Sequence, residues 1–156
     1  MKAPVVSNTS SIIALDRVGQ LGLLHDLYST IVVPPAVVRE AQVRLELPSW
    51  IVEMPLAQPV GARILRASLG PGESEAIALA LECEARLLIL DDWAARRLAQ
   101  TIGLHVAGTL ALLVHAKRRG LLSEVKPVLD ALIAQGFRAS DTLRERVLLS
   151  AGESVS

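Results

Sequence analysis

The chain has 156 residues, enough for one domain with a sizeable core. Sixteen Lys and Arg offset sixteen Asp and Glu. That balance excludes a global electrostatic pull toward nucleic acid or membrane, so any such contact must be a local patch. The single cysteine, Cys83, excludes an internal disulfide and a cysteine zinc site.

Aromatic residues make up 3% of the chain, too few for base stacking to be its main binding mode. The 51% hydrophobic content predicts apolar surface that another copy or a partner covers. No signal peptide is read in the first six residues, which carry one Lys and no long apolar run. The apolar runs fall short of a membrane span, so the expected location is the cytoplasm.

In chain order, "APVVS" (3–7) reads as a strand, followed by the polar quartet Ser7-Asn8-Thr9-Ser10. "SIIALDRV" (11–18) and "LGLLHDLY" (21–28) read as short helices broken near Gly19. "TIVV" (30–33) is a strand stopped by Pro34-Pro35, and "AVVREAQVRLE" (36–46) has helical spacing after a proline start. "WIVEM" (50–54) reads as an edge strand and "VGARILRASL" (60–69) as a helix ended by Gly70-Pro71-Gly72. "ESEAIALALECE" (73–84) is a helix, "RLLIL" (86–90) a buried strand, and "WAARRLAQTIG" (93–103) the helix after Asp91-Asp92. "LHVA" (104–107) is a strand, "TLALLVHAKRRG" (109–120) a helix, and two more helices are expected around 124–135 and 141–149.

This alternation predicts an α/β domain with a mainly parallel sheet of four or five strands and right-handed crossovers. A core of about residues 3–120, completed by C-terminal helices over 124–149, makes one domain of the whole chain. In such sheets, sites form beyond the carboxyl ends of the strands. Asn8 and Asp91-Asp92 both follow strands, so both belong at that edge. Glu75 opens a helix leading into "RLLIL", and Glu40 lies about a turn and a half into its helix.

Each of these residues also has a bland reading. Asn8, Thr9 or Ser10 caps a helix, and so does Asp91 or Asp92. Glu73 and Glu75 complement a helix dipole, and Glu40 is solvated. Together, several oxygen ligands in one cleft suit Mg²⁺ or Mn²⁺, which activates water and offsets phosphoryl charge.

The order of "VVSNTSSIIAL", "VVPPAVVREA", "GESEAIALALE" and "LLILDDWAARRLAQTIGL" resembles PIN-domain proteins, over roughly Val5 to Gly120. It is most similar to small prokaryotic PIN-like proteins near the toxins of toxin–antitoxin pairs. The resemblance implies a three-layer α/β/α fold and a Mg²⁺- or Mn²⁺-dependent ribonuclease that cuts RNA with clustered acids. It also implies a homodimer and an antitoxin partner.

By resemblance Glu40 is the second acid, Glu75 the third and Asp92 the fourth, with Asp91 a close competitor. Thr9 and Ser10 match the small hydroxyl residues after the first acid. The first acid itself is replaced by Asn8. An amide oxygen still ligates a hard cation, but it brings no charge and cannot act as a base. The second reading is therefore a PIN-like module that binds RNA or protein without cutting.

Other chemistries lack their motifs. No nucleotide-binding glycine pattern, zinc-protease helix or nucleophile elbow is present, and "GPGESE" (70–75) reads as a turn. His25, His105 and His115 have no ligand spacing. Cys83 reads as a buried structural thiol. Arg96 and Arg97, one turn past Asp92, are candidates to pair with the acids or meet RNA phosphates. Lys117-Arg118-Arg119 ends a helix, where positive charge suits the dipole. Thr109 is expected to cap its helix, with the cleft as its second reading.

Overall fold

The computed structural model of the protein describes residues 2–155. Five strands, β1 (Val5–Ser7), β2 (Ile31–Val33), β3 (Ile51–Glu53), β4 (Leu87–Ile89) and β5 (Val106–Ala107), form one sheet in the order β3-β2-β1-β4-β5. All four pairings are parallel, with Val6 opposite Val32 and Leu88. The central strands carry unbroken apolar sequence because a parallel sheet is covered on both faces.

Strand alternation sorts the core into two layers. Val5, Ile31, Val33 and Ile89 face one cluster with α1 (Thr9–Arg17), α2 (Gly22–Tyr28), α3 (Pro35–Gln42), α7 (Thr109–Arg118), α8 (Lys126–Ala134) and α9 (Asp141–Ser150). Val6, Val32, Leu88 and Leu90 face the other, with α5 (Pro71–Glu82) and α6 (Trp93–Thr101), against which Leu65 of α4 (Val60–Leu65) packs. The result is the expected three-layer α/β/α arrangement. Among the described residues, no helix is long and apolar enough to cross a membrane.

The element boundaries differ from the sequence reading for local reasons. Helix α1 starts at Thr9 rather than Ser11, because Asn8 already has the extended backbone of an N-cap. Helix α5 starts at Pro71 rather than Glu73, using proline in the first turn after the extended Gly70. Helix α3 stops at Gln42 instead of reaching residue 46, since the amides of Arg44 and Leu45 both turn back to the Ala41 carbonyl.

The chain runs outward from β1 through β2 to β3, then returns to the other side of β1 with β4 and β5. This reversal puts a crevice beyond the carboxyl ends of β1 and β4. The Asn8 amide donates to the Ile89 carbonyl at 3.0 Å, holding the two strand ends together at that crevice.

Candidate active site

Asn8 occupies the N-cap position of α1, but its side chain caps nothing. It is 3% exposed, and its Oδ1 accepts no hydrogen bond. A buried, unpaired amide oxygen costs about 1–3 kcal/mol. What lies beside it is therefore informative. A Cβ built on Gly72 would overlap Glu40 Oε1 and stand 3.1 Å from Asn8 Oδ1. The missing side chain of Gly72 thus leaves a small cradle bordered by an amide oxygen and a carboxylate oxygen. Thr9 Oγ1 donates to Glu40 Oε1 at 2.5 Å and aims that carboxylate across the cradle.

Glu73 stands in the first turn of α5, half-buried, near the same opening. Burial pushes its carboxyl above the ordinary 4.5, and the charges of Asp92 and Glu40 push it further, against a pull from the Gly70 amide. Negative charge from three elements therefore meets here, a repulsion that a cation would relieve. Glu73 also lines one groove with Asp91, Asp92 and Ser10. Sequence reasoning gave Glu73 only a dipole role. The signal that would have found it was Gly70-Pro71, which fixes the start of the helix.

Glu75 follows two residues later, about 200° further round the helix. It is 7% exposed and both its oxygens are engaged. The Ala36 amide donates to Oε1 at 2.9 Å, and Arg66 Nη2 donates to Oε2 at 2.8 Å, with Arg39 Nη2 3.9 Å away. Glu75 therefore fastens α5 to the start of α3 and to the end of α4. Its expected position in the open cleft is taken by Glu73.

The two consecutive aspartates divide their work. Asp91 accepts from the Thr109 amide at 2.7 Å, from Thr109 Oγ1 at 2.6 Å and from Ser11 Oγ at 3.0 Å. It ties the end of β4 to α1 and α7. Thr109 is fully buried and is not the cap expected of it; Gly108 holds that position, and the Thr109 hydroxyl is spent on Asp91. That burial also keeps Thr109 from direct contact with RNA. Asp92 caps α6 by accepting the Ala95 amide on Oδ2 at 2.9 Å. It is exposed, and its other oxygen has no protein donor among the described residues.

The basic candidates lie close by. Arg96 is half-buried over Gly108, where a built Cβ would stand 2.6 Å from its Nη1 and 2.9 Å from Asp91 Oδ1. Arg97 stacks on the indole of Trp93, 4.8 Å from the ring centroid. Ser10 is exposed at the mouth of the crevice. His25 and His105 are exposed and far from ligand geometry, while burial first, then the charge of Glu82, pushes the partly covered Cys83 thiol up against backbone donors.

Among the described residues, no three His, Cys, Asp or Glu side chains converge closely enough to cage a metal ion by themselves. The oxygens present do suit a hard cation of the Mg²⁺ type. Such ions take one or two carboxylates, and keep waters or phosphate oxygens for the remaining positions. The orphaned Asn8 Oδ1 and the aimed Glu40 Oε1 are donors of that kind.

A search of curated proteins finds no match. The DUF3368 family model, a PIN domain, matches residues 4–153 and so spans all five strands and all the residues of the crevice. The chain therefore belongs to the PIN-domain family.

Proposed function

We propose that the protein is a metal-dependent endoribonuclease of PIN type and the toxin-like member of a toxin–antitoxin pair, acting on cytoplasmic RNA. The observation that carries this reading is the buried, unpartnered Asn8 Oδ1 facing Glu40 across the Gly72 cradle. A PIN domain supplies a nuclease-like fold, and divalent metals are general among PIN domains. Asn8, Glu40, Glu73 and Asp92 are the residues that would hold Mg²⁺ or Mn²⁺. The bound ion supplies an activated water and offsets charge on the phosphodiester.

The chain's own residues prepare the site. Thr9 fixes the Glu40 carboxylate by its hydroxyl. Arg66 neutralises Glu75, so that buried acid adds little to the repulsion at the cleft. Asp91 locks α1, β4 and α7 in register rather than meeting substrate. Arg96 places a cation beside the acids, where a phosphate oxygen can be held.

The test is cleavage of mixed single-stranded RNA with Mn²⁺ or Mg²⁺, alongside melting with metal titrated in. Slow cleavage by the wild type, its loss in Glu40→Gln and Asp92→Asn, and a gain in Asn8→Asp support the proposal. No cleavage by wild type or Asn8→Asp, with no metal-dependent rise in melting temperature in either, overturns it.

One observation favours a second reading, a module that binds without cutting: Asn8 contributes no charge to the cluster. RNA binding by the wild type with cleavage in neither protein is the result that selects it. A homodimer and an antitoxin partner belong to the same proposal, supported by exposed apolar side chains such as Val60 and Ile64 on α4. Light scattering and an antitoxin-like neighbouring reading frame test these two points.

A further inference from the structure

The acids do not lie in a closed pocket. Glu73, Asp91 and Asp92 line a groove of about 900 Å³ that extends along α7 to α9, while Glu40 lines a neighbouring opening that shares Ser10 and Phe137 with it. Arg118, Arg138 and Arg146 line the same groove as the three acids. Arg138 and Arg146 are exposed and make no ion pair among the described residues, whereas Arg144, two residues before Arg146 on α9, is spent on Asp130 at 2.9 Å. Acids and arginines thus share one groove, with Arg96 beside Asp91. This pattern complements a polyanion with one phosphate at the acids and further phosphates on the arginines.

At the mouth stands Trp93, the residue after Asp92. It is 66% exposed although Arg97 covers one face of the indole. The other face meets solvent beside the groove it lines. Among the described residues, Trp93 belongs to neither apolar core cluster. An indole braced by a guanidinium presents a fixed π surface to a flat ring, at little further entropic cost.

We propose that this groove is the track for a single-stranded RNA segment on one side of the scissile bond, with Trp93, braced by Arg97, as the platform for one unpaired base. The proposal rests on the reading of the crevice as a nuclease site. It needs only one platform, which agrees with a chain that has few aromatics. A duplex is excluded, because its bases are stacked on one another and offer the indole no free face.

The probe is a short, fluorescently labelled 2′-O-methyl oligoribonucleotide of mixed sequence, titrated in EDTA so that neither metal nor cleavage intervenes. Wild-type protein is expected to bind it with quenching of Trp93 emission, against the constant background of Trp50, which stacks on His25 elsewhere. Trp93→Ala should weaken binding about 5- to 150-fold, the range for losing one stacked base. Trp93→Phe should recover part of the loss. Arg138→Ala/Arg146→Ala should lower the magnitude of the log–log salt slope by about 1.4 for two lost phosphate contacts. All these side chains are exposed, so unchanged melting confirms folding.

Wild-type affinity in Trp93→Ala, an unchanged salt slope in the double variant, or equal binding of the matching duplex overturns the track. Cleavage assays separate the two readings. If the wild type binds as described but never cleaves, the nuclease reading falls and the track stands. If the wild type cleaves while Trp93→Ala and the arginine variant bind and cleave like it, the track falls and the nuclease reading stands.

Discussion

Gly72→Ala separates the stability of the crevice from its use. Gly72 lies in the first turn of α5 with ordinary helical geometry, so alanine there should gain about 0.4–1 kcal/mol from reduced freedom of the unfolded chain. The new methyl would occupy the position of Glu40 Oε1 and stand 3.1 Å from Asn8 Oδ1. Glu40 is an exposed, flexible side chain and can swing away at the loss of its bond from Thr9. An intramolecular hydrogen bond of this kind is worth about 0.5–1.5 kcal/mol, less where solvent competes. The two terms nearly cancel. At about 2–4 °C per kcal/mol for a domain of this size, the metal-free melting temperature should move by no more than about 2 °C. The cradle, however, is filled. Wild-type protein with Mn²⁺ at a hundred times its dissociation constant should gain about 2.7 kcal/mol, or roughly 5–10 °C. The alanine variant should gain almost nothing. Thermal melting with and without Mn²⁺ reads both quantities. A full Mn²⁺ shift in Gly72→Ala would refute the cradle as the cation site, and a metal-free loss above about 5 °C would show that Glu40 cannot move.

Glu73→Gln should raise the metal-free melting temperature at neutral pH. The native carboxyl holds its proton to higher pH than the unfolded one, so stability falls as pH rises through that window, and the gain should vanish below the ordinary value of 4.5. The same variant should shorten the Mn²⁺ shift, and no neutral-pH gain would remove Glu73 from the repelling cluster. Glu153→Ala should cost about 2–3 kcal/mol, or roughly 4–12 °C, because Glu153 accepts from Lys117 Nζ and from the Val125 and Lys126 amides that open α8. Burial raises the Glu153 carboxyl but those donors outweigh it and hold it low, so its contribution should fade as pH falls through that lowered value; a shift within 1 °C by calorimetry, about 0.3 kcal/mol, would contradict this. Asp91→Asn should destabilise the metal-free protein by about 1–3 kcal/mol through its Thr109 and Ser11 donors while leaving the Mn²⁺ shift in place, and loss of that shift would make Asp91 a ligand.

Much of the fold was legible in the chain, because each buried strand is a short apolar run between breakers. "IVV" before Pro34-Pro35 and "LLI" before Asp91-Asp92 admit little else, and both became central strands. The α/β class and the edge position of residues 51–53 follow from the same pattern. The orientation of the acids was less legible, because it depends on helix phase. Glu73 and Glu75 stand about 200° apart on α5, so only one can face the cleft, and the resemblance that pointed to Glu75 did not fix which. Partners distant in sequence were hidden altogether. Nothing near Glu75 points to Ala36, nothing near Thr109 points to Asp91, and nothing in the last residues points to the start of α8. Asn8 was placed correctly beyond β1, but whether its amide capped α1 depended on a rotamer, and the rotamer answers to Glu40 and Gly72 rather than to its own helix.

On the proposed reading of the crevice, the amide at position 8 has to serve two states, with and without a cation. Without a cation, Asn8 Oδ1 is buried and unpaired in a crevice where burial, and then the charges of Asp92 and Glu40, already raise the Glu73 carboxyl. A carboxylate in the same place would add a charge with no donor, which costs more than an unpaired amide. With a cation, the order reverses, since a charged oxygen binds Mn²⁺ more tightly than a neutral one. Asn8→Asp should therefore lower the metal-free melting temperature at neutral pH by roughly 4–8 °C, corresponding to about 2 kcal/mol. The deficit should shrink in acid, where the new carboxyl is protonated. Saturating Mn²⁺ should erase it and carry the variant above its own metal-free value by more than the wild type gains. If the variant instead melts with the wild type at every pH and metal concentration, position 8 does not face the acids, and the cradle beside Gly72 is only a packing gap.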